Sequence, residues 1–472
     1  MSSFVGRTAE LDRLDKALAR VSANIGRPEP GACLLVHGRR RVGKSRLVEQ
    51  FLERTGTPAV FFTASRRGNE PDRFLDEVAR SILPRASTVA GVTPHDWSAA
   101  LRQLDAVLDD DQTTVVVIDE FPYLVENDES LEAVFQSLWD RRLKKKPVLL
   151  ILVGSDIAIM EQLNEYGRAF HQRATLFPVG PLTPSETAQI VGTPDASSAF
   201  DAYLITGGLP IVCQEWPQGL TMWQYLEEAL NDPSSSLVVS AQLSLAAELP
   251  ATLQARTVLE KIGSGEAAFS TIQKAAGGLD PTSLKRSLET LADKRIVAKD
   301  VPLSTKSSRE ARYRVGDPYL RFWLRFIGPN AERIDRGRAD LAMQSIRADF
   351  STWRGKAIEP VVRAALMSGA LGPRLPSPAE EIGGWWPRSN SPEIDLVGAD
   401  RGPVARSIGF AGTVKWRESA PVTQADLTRL AMEATQVPGL TSSTPLVIVS
   451  RTPVTAKGAA NVFGPDDLMG AW

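Results

Sequence analysis

Short apolar runs alternate with helical patterns in the first part of the chain, up to about Pro181. The runs are rich in β-branched residues, and each is short enough to be one buried strand. They occupy residues 33–36, 60–62, 115–118 and 148–153. Residues 130–146 have apolar positions at helical spacing and a basic end. This alternation predicts an α/β fold in which helices cover a parallel sheet.

The pattern changes from about Leu249 to short helices that have no strand between them. Helical spacing is found at residues 253–262, 269–276 and 282–294, and strand patterns follow at 296–301 and 312–315. A polar tip at residues 304–309 separates the two strands. Helices followed by a hairpin in this order predict a winged-helix domain.

One segment has the spacing G-x-x-x-x-G-K-[ST], and it reads Gly38-Arg39-Arg40-Arg41-Val42-Gly43-Lys44-Ser45. It follows the first predicted strand and precedes a helical pattern that begins at Arg46. The glycines allow a tight turn whose N–H groups face negative charge. Lys44 is expected to reach the β- and γ-phosphates and Ser45 to hold Mg²⁺. The segment therefore predicts a nucleotide site, with ATP and Mg²⁺ as its ligands.

The strand at residues 115–118 runs into Asp119 and Glu120. Alone, this ending also fits the entry to a turn, but beside a phosphate loop it indicates the acidic side of a metal-nucleotide site. Asp119 is expected to orient Mg²⁺ and Glu120 to polarise the attacking water. A base at this place favours hydrolysis over transfer of the phosphoryl group to another substrate.

Two further polar side chains are candidates for the same site. Ser155 follows the strand at residues 148–153 and would sense the γ-phosphate, although a helix N-cap is an equal alternative. Arg168 is a candidate arginine finger or sensor, with an ordinary surface arginine as the alternative.

Composition sets wide bounds on the class of protein. The net charge is −2 and 43% of residues are hydrophobic, which is ordinary for a globular protein. Two cysteines and three histidines exclude a disulfide framework and a Cys/His metal cluster. The first residues lack the apolar core of a signal peptide, and the longest apolar run is too short to span a membrane. We expect a cytoplasmic protein without a membrane partner.

Three motifs accompany the phosphate loop. They are Phe4-Val5-Gly6-Arg7 with Glu10-Leu11, then Ile118-Asp119-Glu120-Phe121, and Gly207-Gly208-Leu209-Pro210. Together they resemble the archaeal-type ATPases of the AAA+/STAND branch of P-loop proteins. The resemblance implies that Arg7 contacts the nucleotide and that the turn at Pro210 belongs to a helical lid. The predicted nucleotide contacts along the loop run from Gly38 to Arg46.

The segment from Lys285 to Arg338 is basic, with fourteen Lys or Arg against seven Asp or Glu. An excess of this kind in a chain of net charge −2 favours a phosphate backbone, such as that of duplex DNA, as partner. The residues expected nearest DNA are Lys285, Arg286, Arg309, Arg312 and Arg314. The alternative is that the winged helix is a lever that closes on the nucleotide domain.

The last third resembles domain of unknown function 234, whose general pattern is similar to the restriction-endonuclease core. The matching segments are Asp317-Pro318-Tyr319-Leu320-Arg321-Phe322-Trp323, Gly384-Trp385-Trp386 and Glu393-Ile394-Asp395-Leu396-Val397. The resemblance implies a helix at residues 348–367 carrying Glu359, strands at 393–397 and 404–416, and a covering helix at 427–435. Glu359, Glu393, Asp395 and Lys415 would form the nuclease-like site.

That site departs from the pattern of an active nuclease at one position. Thr413 stands two residues before Lys415, where an acidic metal ligand is expected. A threonine supplies no negative charge, so a degenerate, structural or DNA-docking core is favoured over an active nuclease.

We therefore predict an ATP-hydrolysing switch that is associated with DNA. Its expected parts are a P-loop core at residues 1–180, a lid at 181–246, a winged helix at 247–330 and a nuclease-like α/β domain at 331–472. The alternatives are a regulatory module that holds ATP and docks a protein partner, and an ATP-gated Mg²⁺-dependent nuclease. A homo-oligomer is also compatible with these motifs.

Overall fold

The computed structural model describes residues 4–66, 68–249, 253–263 and 265–472. The chain divides into two compact units, Met1–Pro181 and Leu182–Trp472. The predicted end of the core at residue 180 lies one residue from this division. The boundaries predicted at 246/247 and 330/331 fall inside the second unit, and residues 250–252 and 264 of the predicted winged helix lie outside the described residues.

The first unit is an α/β layered structure. Its strands are β1 Ala32–His37, β2 Ala59–Thr63, β3 Thr114–Asp119, β4 Val148–Gly154 and β5 Ala174–Pro178. Its helices are α1 Thr8–Ala23, α2 Lys44–Thr55, α3 Glu70–Arg80, α4 Trp97–Val107, α5 Phe121–Asn127, α6 Leu131–Arg141 and α7 Ile157–Gln162. The predicted helix at residues 130–146 ends early, at Arg141, and one 3₁₀ turn follows it.

The strands of this sheet pair in parallel in the order β2-β3-β4-β1-β5. Every residue of β3 and β4 is buried, as expected for central strands that helices cover on both faces. Because β4 lies between β1 and β3, the loops that follow these three strands lie side by side at the carboxyl ends of the strands. The sequence-predicted P-loop α/β fold is confirmed, and β5 is an additional strand at the edge.

The second unit begins with helices and ends with a mixed sheet. Its helices are α8 Pro184–Val191, α9 Ala196–Thr206, α10 Pro210–Gln214, α11 Met222–Asn231, α12 Ser236–Glu248, α13 Gln254–Ile262, α14 Phe269–Ala275, α15 Pro281–Asp293, α16 Pro318–Phe322, α17 Ala331–Asp335, α18 Ala339–Ala357, α19 Glu359–Leu366, α20 Gln424–Ala434 and α21 Pro465–Met469. Its strands are β6 Glu266–Ala268, β7 Val297–Asp300, β8 Arg312–Val315, β9 Glu381–Trp385, β10 Ile394–Ala399, β11 Ile408–Lys415, β12 Leu446–Ser450 and β13 Asn461–Phe463.

Two sheets are formed in this unit. The small antiparallel sheet has the order β6-β8-β7, so β6 is an edge strand. The larger sheet has the order β13-β12-β11-β10-β9, antiparallel from β9 to β11 and parallel from β11 to β13. The helix expected at residues 348–367 is broken at Ile358, because Pro360 has no N–H to continue the helical hydrogen bonds. The described residues contain no helix that is long and apolar enough to cross a membrane.

Candidate functional site

The turn after β1 has the geometry of a phosphate loop. Gly38 follows β1, and a Cβ at this position would lie 2.1 Å from the carbonyl oxygen of Val179. Only glycine therefore fits where the loop passes Val179, the residue after β5. Gly43 has φ 86° and directly precedes α2, so the loop residues lead into the N-terminus of that helix. Arg41 also has a positive φ, of 67°.

Lys44 is the first residue of α2, and its ammonium group is buried inside the turn. Its Nζ donates to the carbonyl oxygens of Gly38 and Arg39 at 2.8 and 3.0 Å. It also donates to Oγ of Ser155, beyond the end of β4, at 2.9 Å. A buried ammonium held by acceptors is a charge placed for an anionic ligand.

Ser45 and Asp119 meet at the edge where β1 and β3 end. The Ser45 Oγ donates to Oδ2 of Asp119 at 2.7 Å, and the other carboxylate oxygen accepts the N–H of Glu120 at 2.9 Å. A hydroxyl and a carboxylate in direct contact are the oxygen donors that Mg²⁺ takes beside nucleotide phosphates. The donor set therefore fits the predicted metal.

Ser155 connects the lysine to the predicted base. Its Oγ accepts from Lys44 and lies 3.4 Å from Oε1 of Glu120, to which it donates. Glu120 has φ 55° and precedes α5, which turns its carboxylate out of the strand direction. Asp156 caps α7, so the alternative role of helix N-cap belongs to Asp156 and not to Ser155.

Arg7 anchors the loop from outside. Its side chain is almost completely buried, and its NH2 group donates to the carbonyl oxygens of Val42 and Gly180 at 2.8 and 2.7 Å. Its NH1 group pairs with Glu10 at 2.9 Å. The sequence resemblance implied a direct nucleotide contact for Arg7, whereas these bonds tie the phosphate loop to the end of the first unit.

The other predicted arginines of this unit have protein partners. Arg40 donates to the hydroxyl of Tyr123 at 2.5 Å. Arg46 lies on the exposed face of α2 and pairs with Glu53 at 2.8 Å. The Arg168 guanidinium forms a two-point contact with the carboxylate of Glu132. Direct roles of Arg46 and Arg168 at the nucleotide stay predictions.

Pro210 is the first residue of α10, in the second unit. The preceding Gly207 has φ 60°, and a Cβ there would lie 2.6 Å from the backbone nitrogen of Tyr319. The glycine turn therefore packs against the Asp317-Pro318-Tyr319 motif, and two motifs that the sequence suggested separately form one contact. Its role as part of a lid stays a prediction.

The five predicted DNA-contacting residues divide into two groups. Lys285, Arg286 and Arg309 are exposed. Arg314 instead pairs with Asp300 at 2.6 Å. Arg312 pairs with Glu393 at 2.8 Å and stacks 4.2 Å from the ring centre of Trp386, so it faces the larger sheet.

Two of the nuclease-like residues, Glu359 and Glu393, contact a lysine that the sequence analysis did not consider. Lys356 Nζ lies 3.0 Å from Oε1 of Glu359 and 3.2 Å from Oε2 of Glu393. Burial disfavours its charge, but the nearby carboxylates of Glu359, Glu393 and Asp395 raise the pKa of Lys356 above its usual range. Burial likewise disfavours the charge of Glu393, but Lys356 and Arg312 hold its pKa below the usual range. The sequence did contain one signal for this ion pair, because Lys356 and Glu359 are three residues apart, the spacing at which side chains on a helix meet.

Asp395 and Thr413 form a neighbouring contact on β10 and β11. The Thr413 hydroxyl and the Val414 N–H donate to the same oxygen of Asp395, at 2.8 and 2.9 Å. Lys415 is the last residue of β11 and is half-buried. In the part of the chain that the structure describes, no group of three or more His, Cys, Asp or Glu side chains is arranged to hold a metal ion.

Comparison with protein families finds matches in two separate segments of the chain. Residues 28–163 match a model described as "AAA domain". Residues 323–429 match a model described as "Archaea bacterial proteins of unknown function", which is domain of unknown function 234. The chain therefore combines a segment similar to AAA-type P-loop domains with a later segment similar to domain of unknown function 234.

Whole-chain relatives are distant. An uncharacterized protein of Methanocaldococcus jannaschii is 24% identical over 397 residues, which are 84% of this chain and 84% of that protein. A Walker-type ATPase of Pyrococcus abyssi has a TM-score of 0.47 and 18% identity over 68% of this chain and 96% of its own. The ORC2 protein of Aeropyrum pernix, in ADPNP and ADP complexes, has a TM-score of 0.47 and 14% identity over 74% and 98%. Similarity at this level supports no functional conclusion.

Proposed function

We propose that this protein is an ATP-binding and ATP-hydrolysing switch. The observation that carries the proposal is the connected set at the edge of the first sheet. In it, Lys44 contacts Ser155, Ser155 contacts Glu120, and Ser45 contacts Asp119. A phosphate-binding lysine, a metal-binding pair and a base are thereby joined within one site.

Each of these residues has a distinct chemical task in the proposal. Gly38 and Gly43 shape the loop, and Lys44 neutralises phosphate charge. Ser45 and Asp119 would hold Mg²⁺, which supplies charge stabilisation at the phosphates. Glu120 orients water and accepts its proton, while Ser155 fixes the position of that carboxylate. Arg7 keeps the loop in its turn.

We propose DNA as the partner of the second unit. The order α13, β6, α14, α15, β7, β8 with antiparallel pairing is that of a winged helix, and most of α15 with β7 and β8 lies in the basic segment from Lys285 to Arg338. Lys285, Arg286 and Arg309 are the contacts we favour because they are exposed. Arg312 and Arg314 are engaged in ion pairs and contribute mainly to the structure.

We further propose that the larger sheet is a restriction-endonuclease-like core that does not cut DNA. Its helix, three antiparallel strands, helix and parallel strand follow the expected order. Thr413 supplies no charge, and the ammonium group of Lys356 lies between two of the carboxylates that would bind a metal. We also propose that the protein belongs to the STAND branch, that residues 181–246 act as a lid, and that the protein is cytoplasmic.

Steady-state ATP turnover of the full chain tests the proposal, with and without duplex DNA. Lys44→Ala and Glu120→Gln should each abolish turnover. Glu49→Gln is the matched control, because it makes the same chemical change on an exposed face of α2. Nucleotide binding without turnover would reject the ATPase and leave an ATP-holding module.

The DNA part is tested separately in the same assay. Turnover should rise with DNA in the natural chain and lose that rise in the Lys285→Gln, Arg286→Gln double variant. Arg336→Gln, an exposed arginine in the same basic segment, should leave the rise unchanged. Turnover that is indifferent to DNA, with no DNA binding, would reject the DNA role and favour the lever alternative.

A further inference from the structure

The second unit contains a cavity of about 600 Å³, to which the nuclease-like site contributes Lys356 and Glu393. Its wall is formed by the edge strand β6, by Arg312 of β8, by α16 and the turn after it, by α18, and by the segment before β10. The volume lies within the range of about 300–1,000 Å³ that is typical of small-molecule sites. The cavity is therefore large enough for a ligand of nucleotide size.

Basic side chains dominate the charged part of the wall. Four basic residues, Arg312, Arg321, Arg325 and Lys356, line the cavity, against two acidic ones, Asp349 and Glu393. Arg321 is almost completely buried, with only 3% of its surface exposed. Burial strengthens the attraction of Arg321 for an anion, since little water screens its charge.

The positions of these cations are fixed before any ligand arrives. Arg312 is held between the ring of Trp386 and the carboxylate of Glu393. Lys356 is held by Glu359 and Glu393. Arg321 lies close to the carbonyl oxygen of Lys356, at 3.5 Å. Preorganised guanidinium groups match phosphate oxygens well and lose little freedom on binding.

Neutral polar groups and small residues complete the wall. Thr271, Thr352 and Asn390 offer hydroxyl and amide groups, and Ala267 and Ala268 leave space beside β6. Among the described residues, β6 is an edge strand of its sheet. These are the contacts that a sugar and a base would need in addition to a phosphate.

We propose that this cavity binds a phosphate monoester of nucleotide size without a divalent metal, with Lys356 and the three arginines providing the positive charge. The ligand is either a free nucleotide or the phosphorylated end of a nucleic-acid strand, since both present the same group. All the residues that line the cavity belong to the second unit. The inference therefore stands or falls independently of ATP hydrolysis.

Calorimetric titration of the full chain tests the inference, in EDTA and in a Lys44→Ala background that weakens binding at the phosphate loop. The probes are AMP, a 5′-phosphorylated oligothymidylate and the same oligonucleotide without the phosphate. Thr352→Glu places a negative charge in the wall at an exposed position one helical turn before Lys356. Ser351→Glu is the matched control, because Ser351 is exposed on the same helix but does not line the cavity.

The expected result is saturable binding of AMP, of the phosphorylated oligonucleotide or of both. Thr352→Glu should weaken this binding about tenfold or more, and Ser351→Glu should not. Preference for AMP identifies a free nucleotide, and preference for the oligonucleotide identifies a strand end. The inference is overturned if no probe saturates, if the unphosphorylated oligonucleotide binds equally well, or if both variants lose binding to the same extent.

Discussion

Arg7→Ala separates an anchoring role of Arg7 from a direct contact with the nucleotide. In the structure its guanidinium donates to the carbonyl oxygens of Val42 and Gly180. Hydrogen bonds from a charged donor contribute roughly 1.5–3 kcal/mol each, and the Gly180 oxygen is only partly buried and can rehydrate. We therefore expect the free energy of unfolding of the first unit to fall by about 3 kcal/mol.

Differential scanning calorimetry of the full chain measures this loss, because the two units can unfold in separate transitions. The transition that Mg²⁺ and ADP shift upwards belongs to the first unit. For a unit of about 180 residues, a loss of 3 kcal/mol corresponds to a decrease in Tm of about 6–12 °C. The decrease should be present without nucleotide, since the lost bonds are internal to the protein.

Glu10→Gln is the control for this prediction. It removes the partly exposed ion pair with Arg7 but leaves both carbonyl contacts, so it should cost at most about 1 kcal/mol. An unchanged Tm in Arg7→Ala, together with much weaker ADP binding, would refute the anchor and support a direct nucleotide contact. An equal Tm decrease in Glu10→Gln would instead attribute the effect to the ion pair.

Two predictions concern the larger sheet. The Thr413→Glu variant should not bind Mn²⁺ in an electron paramagnetic resonance titration, whereas the double variant Thr413→Glu, Lys356→Met should. Only the double variant both adds a carboxylate and removes the competing ammonium group. Mn²⁺ binding by the single variant would contradict the role of Lys356. For Asp426, hydrogen bonding from Arg417 lowers the pKa well below its usual range, so the ionised form stabilises the folded state. Asp426→Asn should therefore lower the free energy of unfolding by about 1–3 kcal/mol at neutral pH. The difference in unfolding free energy between the variant and the natural chain should disappear as the pH falls below the usual aspartate range towards the lowered pKa. Urea unfolding followed by circular dichroism measures it. A difference that does not depend on pH would refute this assignment.

Local patterns were sufficient to predict most of the first sheet. β1, β3 and β4 are continuous apolar runs in a parallel sheet, and each was predicted within a residue or two of its observed bounds. β5 was missed because Ala174–Pro178 is short, has only one fully buried residue and ends in a proline, which gives a weak strand signal. β6 was missed because it has only three residues, two of which are alanines.

The contact between Ser45 and Asp119 was predictable for a general reason. The motif spacing placed both residues at the carboxyl ends of strands in one parallel sheet, and such ends lie at one edge. The contacts of Arg7 with Val42 and Gly180 could not be predicted in this way. They join residues that are far apart in sequence, so they depend on how the whole first unit folds. The same reason explains why the spacing of Lys356 and Glu359 gave no hint of Glu393.

Contacts among the predicted lid, the motif at Tyr319 and the larger sheet restrict how a switch could work. The Tyr319 hydroxyl donates to the carbonyl oxygen of Leu237 at 2.9 Å and accepts the N–H of Ala241 at 2.9 Å. Trp323 donates to the carbonyl oxygen of Val238 at 2.8 Å. α12 is thereby fixed to the segment that leads into the last third of the chain.

A buried ion network extends this connection to α9. Asp201 accepts from Arg354 of α18 at 3.0 Å and from Arg451, just after β12, at 2.8 Å. Arg354 is 1% exposed, and removing one partner of a buried pair costs about 3–5 kcal/mol because the other charge stays buried. A movement of α9 alone would have to break these contacts. Within the second unit, the helices predicted as a lid and the larger sheet are therefore joined, and a movement of one should carry the other with it.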